Sequence, residues 1–363
     1  MTGIPPAFLL IFLFATLFTG CATHSPTSNQ QSSPALAPLP QGSTGQPRGS
    51  HETVAVESLQ RDVDEIMKAL RTNHDGKVYA AAVEGVDPDD LAIAVALVDG
   101  HSFVTGDADV RFPLMSVSKP FTYALALEQR GADYMLKTIG VSATGLPYNS
   151  VTAGAVRSTS EQNPMVNAGA IATHSHILGT DSSAKTQAVV DLYSRMANRP
   201  LAIEERWRAT PRALTFTLAY QMQTVGRLDG DVEDVTKRYL ESNIVAVRAG
   251  ELAQMGATLA NGGVQPLTGE RILAQETVRT VLSAMVIAGM YEDSGYWWTR
   301  VGVPAKSGVS GAVVAVVPGW GAIVAYSPRL DAAGNSVRAS LAIERLVQRW
   351  RLHSVDRLLG QQN

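Results

Sequence analysis

The spacing of hydrophobic and polar positions changes several times along the chain, and each spacing predicts a different element. Over residues 56–73, apolar side chains recur every three or four positions, which is typical of an amphipathic helix. The runs LAIAVALVDG and HSFVTGD then predict two strands joined by a turn at Asp99-Gly100. Late in the chain, GAVVAVVP and GAIVAYSP predict two more strands, and SVRASLAIERLVQRWRLH predicts a closing amphipathic helix.

The stretch between these two pairs of strands is mainly helical in pattern. Its predicted helices include those in DVEDVTKRYLESNIVAVRAGELAQMGATLANGG and in QETVRTVLSAMVIAGM. Terminal helices on an antiparallel sheet, with a large helical insertion in its middle, make an α+β fold. We therefore predict one domain over residues 58–363, with an α/β part at about 58–115 and 290–363 and a helical part at about 116–289.

Residues 1–57 differ in composition from this domain. Residues 7–18 are apolar, and the setting LFTGC around Cys21 resembles a bacterial lipoprotein signal, although Phe18 stands where Leu is usual. Residues 1–21 are thus expected to export the protein and to leave Cys21 lipidated; a plainly cleaved signal or an uncleaved anchor is the alternative. Residues 22–57 have few bulky apolar side chains and predict a disordered tether. Together they predict a periplasmic lipoprotein on a bacterial membrane, with no membrane contact beyond the anchor.

Charge and cysteine content exclude several classes of function. Lys and Arg number 30 against 33 Asp and Glu, a net charge of −3, so nucleic acid is not an expected partner. One cysteine allows neither a disulfide framework nor a thiolate metal site, and no H-E-x-x-H motif is present. The sequence therefore predicts no metal site.

Candidate chemistry begins in FPLMSVSKPF, where Ser116 precedes Lys119 by three residues. On a helix this spacing puts the hydroxyl and the amine on one face. A lysine can take the serine proton only if burial or nearby positive charge lowers its pKa. Pro120 is tolerated in a first helical turn, so the helix is expected to begin near Ser116.

An S-x-x-K motif alone is weak evidence, because a second copy occurs at Ser182 to Lys185 in a polar segment. The companion motif K-[TS]-G is present as Lys306-Ser307-Gly308, followed by a predicted strand. The glycines of KSGVSG are also compatible with a simple strand bulge. Two motifs in this order favour a serine hydrolase.

Several segments resemble successive signatures of the serine-dependent glutaminases, between about residues 76 and 347. They are FPLMSVSKPF, GLPYNS, NPMVNAGAI, MGATLANGGVQPLTGERIL, AGMYEDSGYWWTRVGVPAKSGVSG and SPRLDAAGNSV. The resemblance implies a β-lactamase-like serine hydrolase fold and an amidohydrolase that converts L-glutamine to L-glutamate and ammonia. It implies no cofactor, and a homo-oligomer is expected because relatives tend to self-associate.

By this resemblance, Ser116 is the acyl-forming serine and Lys119 its partner. Val309 matches the residue whose backbone N–H completes an oxyanion hole with that of Ser116, a donor pair worth a few kcal/mol in the transition state, to order of magnitude. Val309 and Lys306 are also assigned to substrate binding. Lys306 is expected to raise the local positive potential that keeps Lys119 deprotonated.

Three further residues are assigned to the site through the resemblance. Asn167 matches a substrate-binding asparagine, although its setting also suits a helix N-cap. Tyr239 and Tyr291 match two active-site tyrosines, with Tyr291 taking part in catalysis as well as binding. A phenol both donates and accepts, so it can pass a proton to the leaving ammonia. Without the resemblance, a helical tyrosine such as Tyr239 is more simply a packing residue.

One region departs from the family pattern. The family has a Ser-Glu pair and an Arg-Asn pair, whose Glu and Asn bind the α-amino and α-carboxylate ends of glutamine. In this chain Arg208 stands in place of the Glu, Leu214 of the Arg and Thr215 of the Asn. Glu204 or Glu205 is expected to supply the carboxylate if the loop is shifted, and Glu205 is our candidate. The Cys-Ser that usually follows Tyr239 is Asn243-Ile244 here.

Two alternatives to glutamine hydrolysis follow from this departure. The first is a penicillin-interactive hydrolase, or another amide hydrolase of the same fold with altered specificity. The lack of an S-D-N or Y-x-N triplet at the expected place argues against the penicillin-interactive form. The second is a degenerate homologue that binds a ligand without turning it over.

Overall fold

The computed structural model describes residues 56–79, 86–143, 150, 162–208 and 213–360. Cys21 and the predicted export segment lie outside the described residues, as does the tether up to residue 55. Most of the GLPYNS motif lies outside them as well.

The centre of the domain is a five-stranded antiparallel sheet. Its strand order is β3-β2-β8-β7-β6, so strands from both ends of the domain lie side by side. The strands are β2 Ala92–Leu97, β3 Ser102–Gly106, β6 Ala305–Ser307, β7 Ala312–Val317 and β8 Gly321–Tyr326. All four predicted strands are present, and a tight turn containing Gly319 at φ 72° joins β7 to β8.

One face of the sheet is covered by the first and the closing amphipathic helices, α1 Val56–Leu70 and α11 Val337–Arg349. Side chains at alternate strand positions, such as Ile93, Val95 and Ile323, point towards them and join one apolar core. The buried stripe of each helix supplies the other half of this layer, which stabilises the sheet by removing apolar surface from water.

The other face of the sheet carries the helical insertion. Helix α8, Ala249–Ala260, packs on this face, where β2 presents only the small side chains of Ala92, Ala94 and Ala96. The fit is close, since a Cβ on Gly256 would lie 2.7 Å from the Cβ of Ala322. The helix therefore rests almost directly on the strands.

The remaining helices of the described residues surround α8 or follow the sheet. They are α2 Lys119–Arg130, α3 Ala132–Thr138, α4 Asn167–Ser175, α5 Ser182–Ala197, α6 Ala213–Thr224, α7 Val232–Asn243, α9 Gln275–Ala288, α10 Ser294–Arg300 and α12 Ser354–Leu359. The second S-x-x-K motif forms the first turn of α5, where the Asp181 carboxylate accepts a hydrogen bond from the Ala184 N–H. The predicted α+β architecture is confirmed.

Two small sheets lie outside the central one. Strands β1 Lys77–Val78 and β9 Arg329–Leu330 form the first, and β4 Phe112–Pro113 and β5 Ala246–Val247 form the second. Strand β5 splits the region predicted as helices into α7 and α8. The sequence pattern does not predict it, because so short a strand has no periodicity of its own. It holds the chain directly before the S-x-x-K motif against the helical insertion.

Candidate active site

Ser116 lies in a short 3-10 turn, Met115–Ser118, between β4 and α2. Met115 has φ 46°, a left-handed conformation that is uncommon for a residue with a side chain. The turn puts Lys119 at the first position of α2, with its Nζ 2.6 Å from Ser116 Oγ. The structure thus brings together the hydroxyl and the amine that the motif spacing placed on one face. The α-helix itself begins at Lys119 and not at Ser116, because the 3-10 turn precedes it.

Burial prepares this lysine to act as a base. Lys119 is only 2% exposed, and desolvation lowers its pKa from 10.5 to about 7. A large fraction of the amine is therefore neutral at neutral pH and can accept the proton of the Ser116 hydroxyl. Proline at position 120 lies in the first turn of α2, as expected.

Strand β6 delivers the second motif to the same place. A Cβ on Gly308 would lie 3.0 Å from Val117 Cγ2 and 3.1 Å from the Leu114 carbonyl oxygen, so this turn closely approaches the nucleophile turn. Val309 packs against Met115, and its N–H makes no hydrogen bond to another described residue. Val309 therefore lies next to the turn that carries Ser116, as the predicted oxyanion donor requires.

Lys306 and Tyr291 form a buried pair behind this turn. Lys306 Nζ donates to the carbonyl oxygens of Gly289 at 3.0 Å and Ser307 at 2.7 Å. It also lies 4.0 Å from the centre of the Tyr291 ring. Tyr291 has φ 56° and donates from Oη to the Ser307 carbonyl at 3.1 Å. Both side chains are thereby fixed to strand β6.

The two buried lysines are coupled through charge. Burial, reinforced by the charge of Lys119, lowers the pKa of Lys306 well below 10.5. Burial also lowers the pKa of Lys119. Because repulsion between like charges is mutual, the expected effect of Lys306 on Lys119 stays a prediction beside this desolvation.

Asn167 and Tyr239 meet on the helical side of the site. Asn167 is the first residue of α4, and the N-cap position belongs to Val166, so the alternative of a capping asparagine is wrong. The Tyr239 hydroxyl donates to Asn167 Oδ1 at 3.3 Å, and Lys119 Nζ lies 5.8 Å from the Tyr239 ring centre. This pair therefore belongs to the surroundings of the Ser116–Lys119 pair.

Comparison with known proteins leads to one family. The family model described as Glutaminase matches residues 76–354. The chain belongs to the glutaminase family. A glutaminase of Colwellia psychrerythraea is 39% identical over 296 residues, covering 80% of this chain and 95% of the relative.

Two solved structures agree with this assignment. A Bacillus glutaminase has a TM-score of 0.73 and 27% identity, covering 82% of this chain and 99% of its own. The protein Mglu, solved in its glutamate form, has a TM-score of 0.74 and 36% identity, covering 80% of this chain and 67% of its own.

In this glutaminase-family chain, Glu205 is held in an ion pair. It binds the guanidinium of Arg208, whose Nη1 also lies 3.5 Å from Glu241 Oε1. These three side chains and Lys237 line a cleft of about 550 Å³, whose described lining does not include Ser116 or Lys119. Glu205 is thus engaged by Arg208, and the cleft that it lines is not the one lined by Lys119.

Glu204, the other candidate for the missing carboxylate, is also paired with arginines. The Glu204 carboxylate lies 2.6 Å from Arg111 Nη1 and 2.8 Å from Arg206 Nε. Thr215 is half-buried at the third position of α6. Both candidate glutamates are therefore neutralised by arginines of their own neighbourhood.

Two further residues, whose supporting role the sequence did not indicate, contact the residues of the site. Asn243 Oδ1 lies 3.0 Å from Ser118 Oγ, so it supports the nucleophile turn from α7. His174 Nε2 lies 3.2 Å from Ser242 Oγ, and its ring packs edge-on against Tyr239. Burial, with the charges of Arg238 and Lys119, lowers the pKa of His174 to about 3, which keeps it neutral.

The described residues hold neither a membrane span nor a metal cluster. Every helix among them is too short or too polar to cross a bilayer. The same part of the chain holds no group of three or more His, Cys, Asp and Glu side chains arranged for a metal ion.

Proposed function

We propose that this protein hydrolyses L-glutamine to L-glutamate and ammonia through an acyl-enzyme on Ser116. The observation that carries the proposal is the buried contact of 2.6 Å between Ser116 Oγ and Lys119 Nζ, beside the turn of Lys306-Ser307-Gly308. Membership of the glutaminase family supports the choice of substrate, as does the glutamate form of the relative Mglu.

In the acylation step, neutral Lys119 accepts the hydroxyl proton while Ser116 Oγ forms a bond to the side-chain amide carbon. The carbonyl oxygen becomes an oxyanion, for which the N–H groups of Ser116 and Val309 are the proposed donors. Collapse of this intermediate breaks the C–N bond. The proton on Lys119 passes to the leaving nitrogen, with Tyr291 as the proposed relay, and ammonia departs.

In the deacylation step, water attacks the ester carbon and gives one proton to Lys119. The same donors hold the second oxyanion. Breaking the bond between carbon and Ser116 Oγ releases glutamate, and Lys119 returns its proton to the serine. The cycle consumes one water for each glutamine and leaves the enzyme unchanged.

The substrate-anchoring residues support a second candidate, hydrolysis of a different amide by the same machinery. Arg208 replaces the family's carboxylate, and the structure pairs it with Glu205 and Glu241. Burying an ammonium group without a carboxylate partner would cost several kcal/mol. A substrate without that ammonium group would avoid this cost.

Ammonia release from L-glutamine, L-asparagine and D-glutamine, measured side by side, distinguishes the two candidates. Release from L-glutamine alone supports the proposed substrate. Release from another amide, or labelling of Ser116 by a fluorescent penicillin, supports the second candidate. Ser116→Ala should remove turnover by at least about 10³-fold while leaving the fold intact. Activity near that of the unmodified protein would refute the acyl-enzyme.

A protein that binds glutamine in a calorimeter and releases no ammonia would be a degenerate homologue. Comparison with Ser283→Ala controls for loss of a serine hydroxyl away from the site. Ser283 is exposed on helix α9, and its Oγ donates to the Arg279 carbonyl of the same helix at 2.8 Å. Binding without release in both the unmodified chain and the variant would overturn the proposed hydrolysis.

We further propose export and anchoring through Cys21. The support is the apolar run 7–18 followed by LFTGC. Radiolabelled palmitate should enter the expressed protein and should be lost on Cys21→Ser, with the protein then leaving the membrane fraction. Membrane association that persists in Cys21→Ser would favour an uncleaved anchor.

We also propose that the protein self-associates. Leu214 and Tyr220 are 50% and 46% exposed on helix α6, and large exposed apolar side chains favour contacts between copies. Light scattering on a size-exclusion column, at several protein concentrations, should give a mass above that of one chain. The mass of one chain at every concentration would contradict this proposal.

A further inference from the structure

Asn335 occupies a fixed place in the loop between β9 and α11. It is 3% exposed. Its N–H donates to Asp331 Oδ1 at 2.9 Å, and its carbonyl accepts from the Asp331 N–H at 2.8 Å. These two bonds to Asp331 fix the backbone of Asn335 independently of its side-chain contacts.

The side chain of Asn335 joins two other segments of the chain, one that ends at Asp293 and one that contains Ser307. Its Oδ1 accepts a hydrogen bond from Ser307 Oγ at 2.6 Å. Its Nδ2 donates to Asp293 Oδ2 at 3.0 Å. An amide is suited to this bridge because one end accepts and the other donates.

Both bridged residues belong to segments that carry active-site groups. In the sequence, Ser307 stands between Lys306 and Gly308 and comes two positions before Val309. Asp293 ends the 3-10 turn that Tyr291 begins. The Tyr291 hydroxyl donates to the Ser307 carbonyl at 3.1 Å, so the Tyr291 turn contacts strand β6 directly as well as through Asn335.

The conformation of Tyr291 explains why such a bridge is needed. Its φ of 56° is unfavourable for a residue with a large side chain and persists only where the surroundings fix it. Ser294 Oγ donates to the Tyr291 carbonyl at 2.7 Å and holds the turn from within. The bond from Asn335 to Asp293 holds it from the strand side, which sets the distance between turn and strand.

We propose that Asn335 is a positioning residue for amide hydrolysis, fixing the Tyr291 turn against the strand that carries Lys306 and Val309. The inference rests on the proposed function. Asn335 acts through Asp293 and Ser307 and takes no part in bond making. Loss of the bridge is expected to displace the phenol and the oxyanion donor relative to each other.

The test swaps the donor and the acceptor of the hydrogen bond between Asn335 and Asp293. Asn335→Asp removes the amide donor and puts two carboxylates together, so kcat should fall by about 10- to 100-fold, with KM changed less. Asp293→Asn alone should keep most activity, because an amide oxygen can still accept from Asn335. The double variant should recover activity, since the new amide at 293 donates to the new carboxylate at 335.

Asn261→Asp is the matched control for the same chemical change away from the site. Asn261 Nδ2 donates to the Val264 carbonyl at 3.0 Å in the loop after α8, and this variant should keep its kcat. All variants are compared at a temperature where circular dichroism shows them folded. If Asn335→Asp does not fold, Asp293→Ala breaks the same bridge and should lower kcat similarly.

A second readout separates this inference from the choice of substrate. A fluorophosphonate probe reacts with an activated serine, so its rate of labelling Ser116 reports the site without glutamine. Slower labelling in Asn335→Asp, restored in the double variant, supports the positioning role even if L-glutamine is not the substrate. Unchanged kcat or labelling in folded Asn335→Asp, or no recovery in the double variant, would overturn it.

Discussion

At the scale of single residues, the chemistry depends on one desolvated amine. Lys119 is buried with its Nζ beside Ser116 Oγ, and its pKa is lowered to about 7. The spacing of the S-x-x-K motif was enough to predict that contact, because residues three apart on a helical turn are neighbours. The lowered pKa could not be predicted from the motif, since it depends on what surrounds the amine.

The pH dependence of activity should follow this group. The base form of Lys119 is lost as the pH falls, so kcat/KM should decrease about tenfold for each unit well below pH 7 and level off above it. The measurement is ammonia release between about pH 5 and pH 9, with circular dichroism to confirm folding. A profile without an inflection near pH 7 would contradict this role.

The same group should weaken the fold at low pH. Its folded pKa lies below the unfolded value of 10.5, so the unfolded chain binds the proton more readily between about pH 7 and 10. Its contribution to stability should therefore be lowest below pH 7 and rise towards pH 10. Lys119→Met removes the buried ammonium and should increase the free energy of unfolding by up to a few kcal/mol more at pH 6 than at pH 10.

Urea denaturation of both proteins at the two pH values measures that difference. An equal effect of Lys119→Met at pH 6 and pH 10 would show that the amine titrates alike in the folded and unfolded states. The variant should be inactive at either pH, because the proton acceptor of Ser116 is gone.

At the scale of elements, the site depends on how closely strand β6 approaches the nucleophile turn. Gly308 makes this approach possible because it has no side chain to meet Val117 and the Leu114 carbonyl. The sequence showed that Gly308 belongs to the K-S-G motif and precedes a predicted strand. Its contact with the segment around Ser116 joins two parts of the chain that are far apart in sequence. The family resemblance predicted that Val309 and Ser116 meet, but local spacing alone could not.

Gly308→Ala should therefore lower kcat by about tenfold or more, because the added methyl group pushes the Val309 N–H away from Ser116. Gly295→Ala is the matched control. Gly295 is exposed in helix α10, where an added Cβ would meet nothing within 4 Å, so alanine there should leave kcat unchanged and slightly stabilise the helix.

Steady-state kinetics on both glycine variants, with their melting temperatures, provide the comparison. Equal kcat values for Gly308→Ala and the unmodified protein would mean that the contact yields without moving the oxyanion donor. A loss of activity in Gly295→Ala would mean that the assay reports general stability.

At the scale of the whole molecule, the site is assembled from distant parts of one domain. The sheet unites strands from both ends of the domain, and the helical insertion supplies Asn167 and Tyr239. Every residue of the site that the structure describes lies between Ser116 and Asn335. Residues 1–55 contribute none of these side chains.

A variant lacking residues 1–55 should therefore keep kcat and KM within about twofold of the full chain, since no contact of the described site is removed. The full chain in detergent is the control for the state of the N-terminus. A large fall in kcat, with the shortened protein folded, would show that residues 1–55 contribute to the site.

Local patterns in the sequence were sufficient for the fold class, the order of the main strands and terminal helices, and the Ser116–Lys119 pair. Periodic burial and short-range spacing specify these features from neighbouring residues. Tertiary packing was needed for the short strand β5, the pairing of Glu205 with Arg208 in a cleft of its own, and the bridge from Asn335 to Asp293 and Ser307. The position of each in space is set by parts of the chain that are distant in sequence, so no local pattern could specify it.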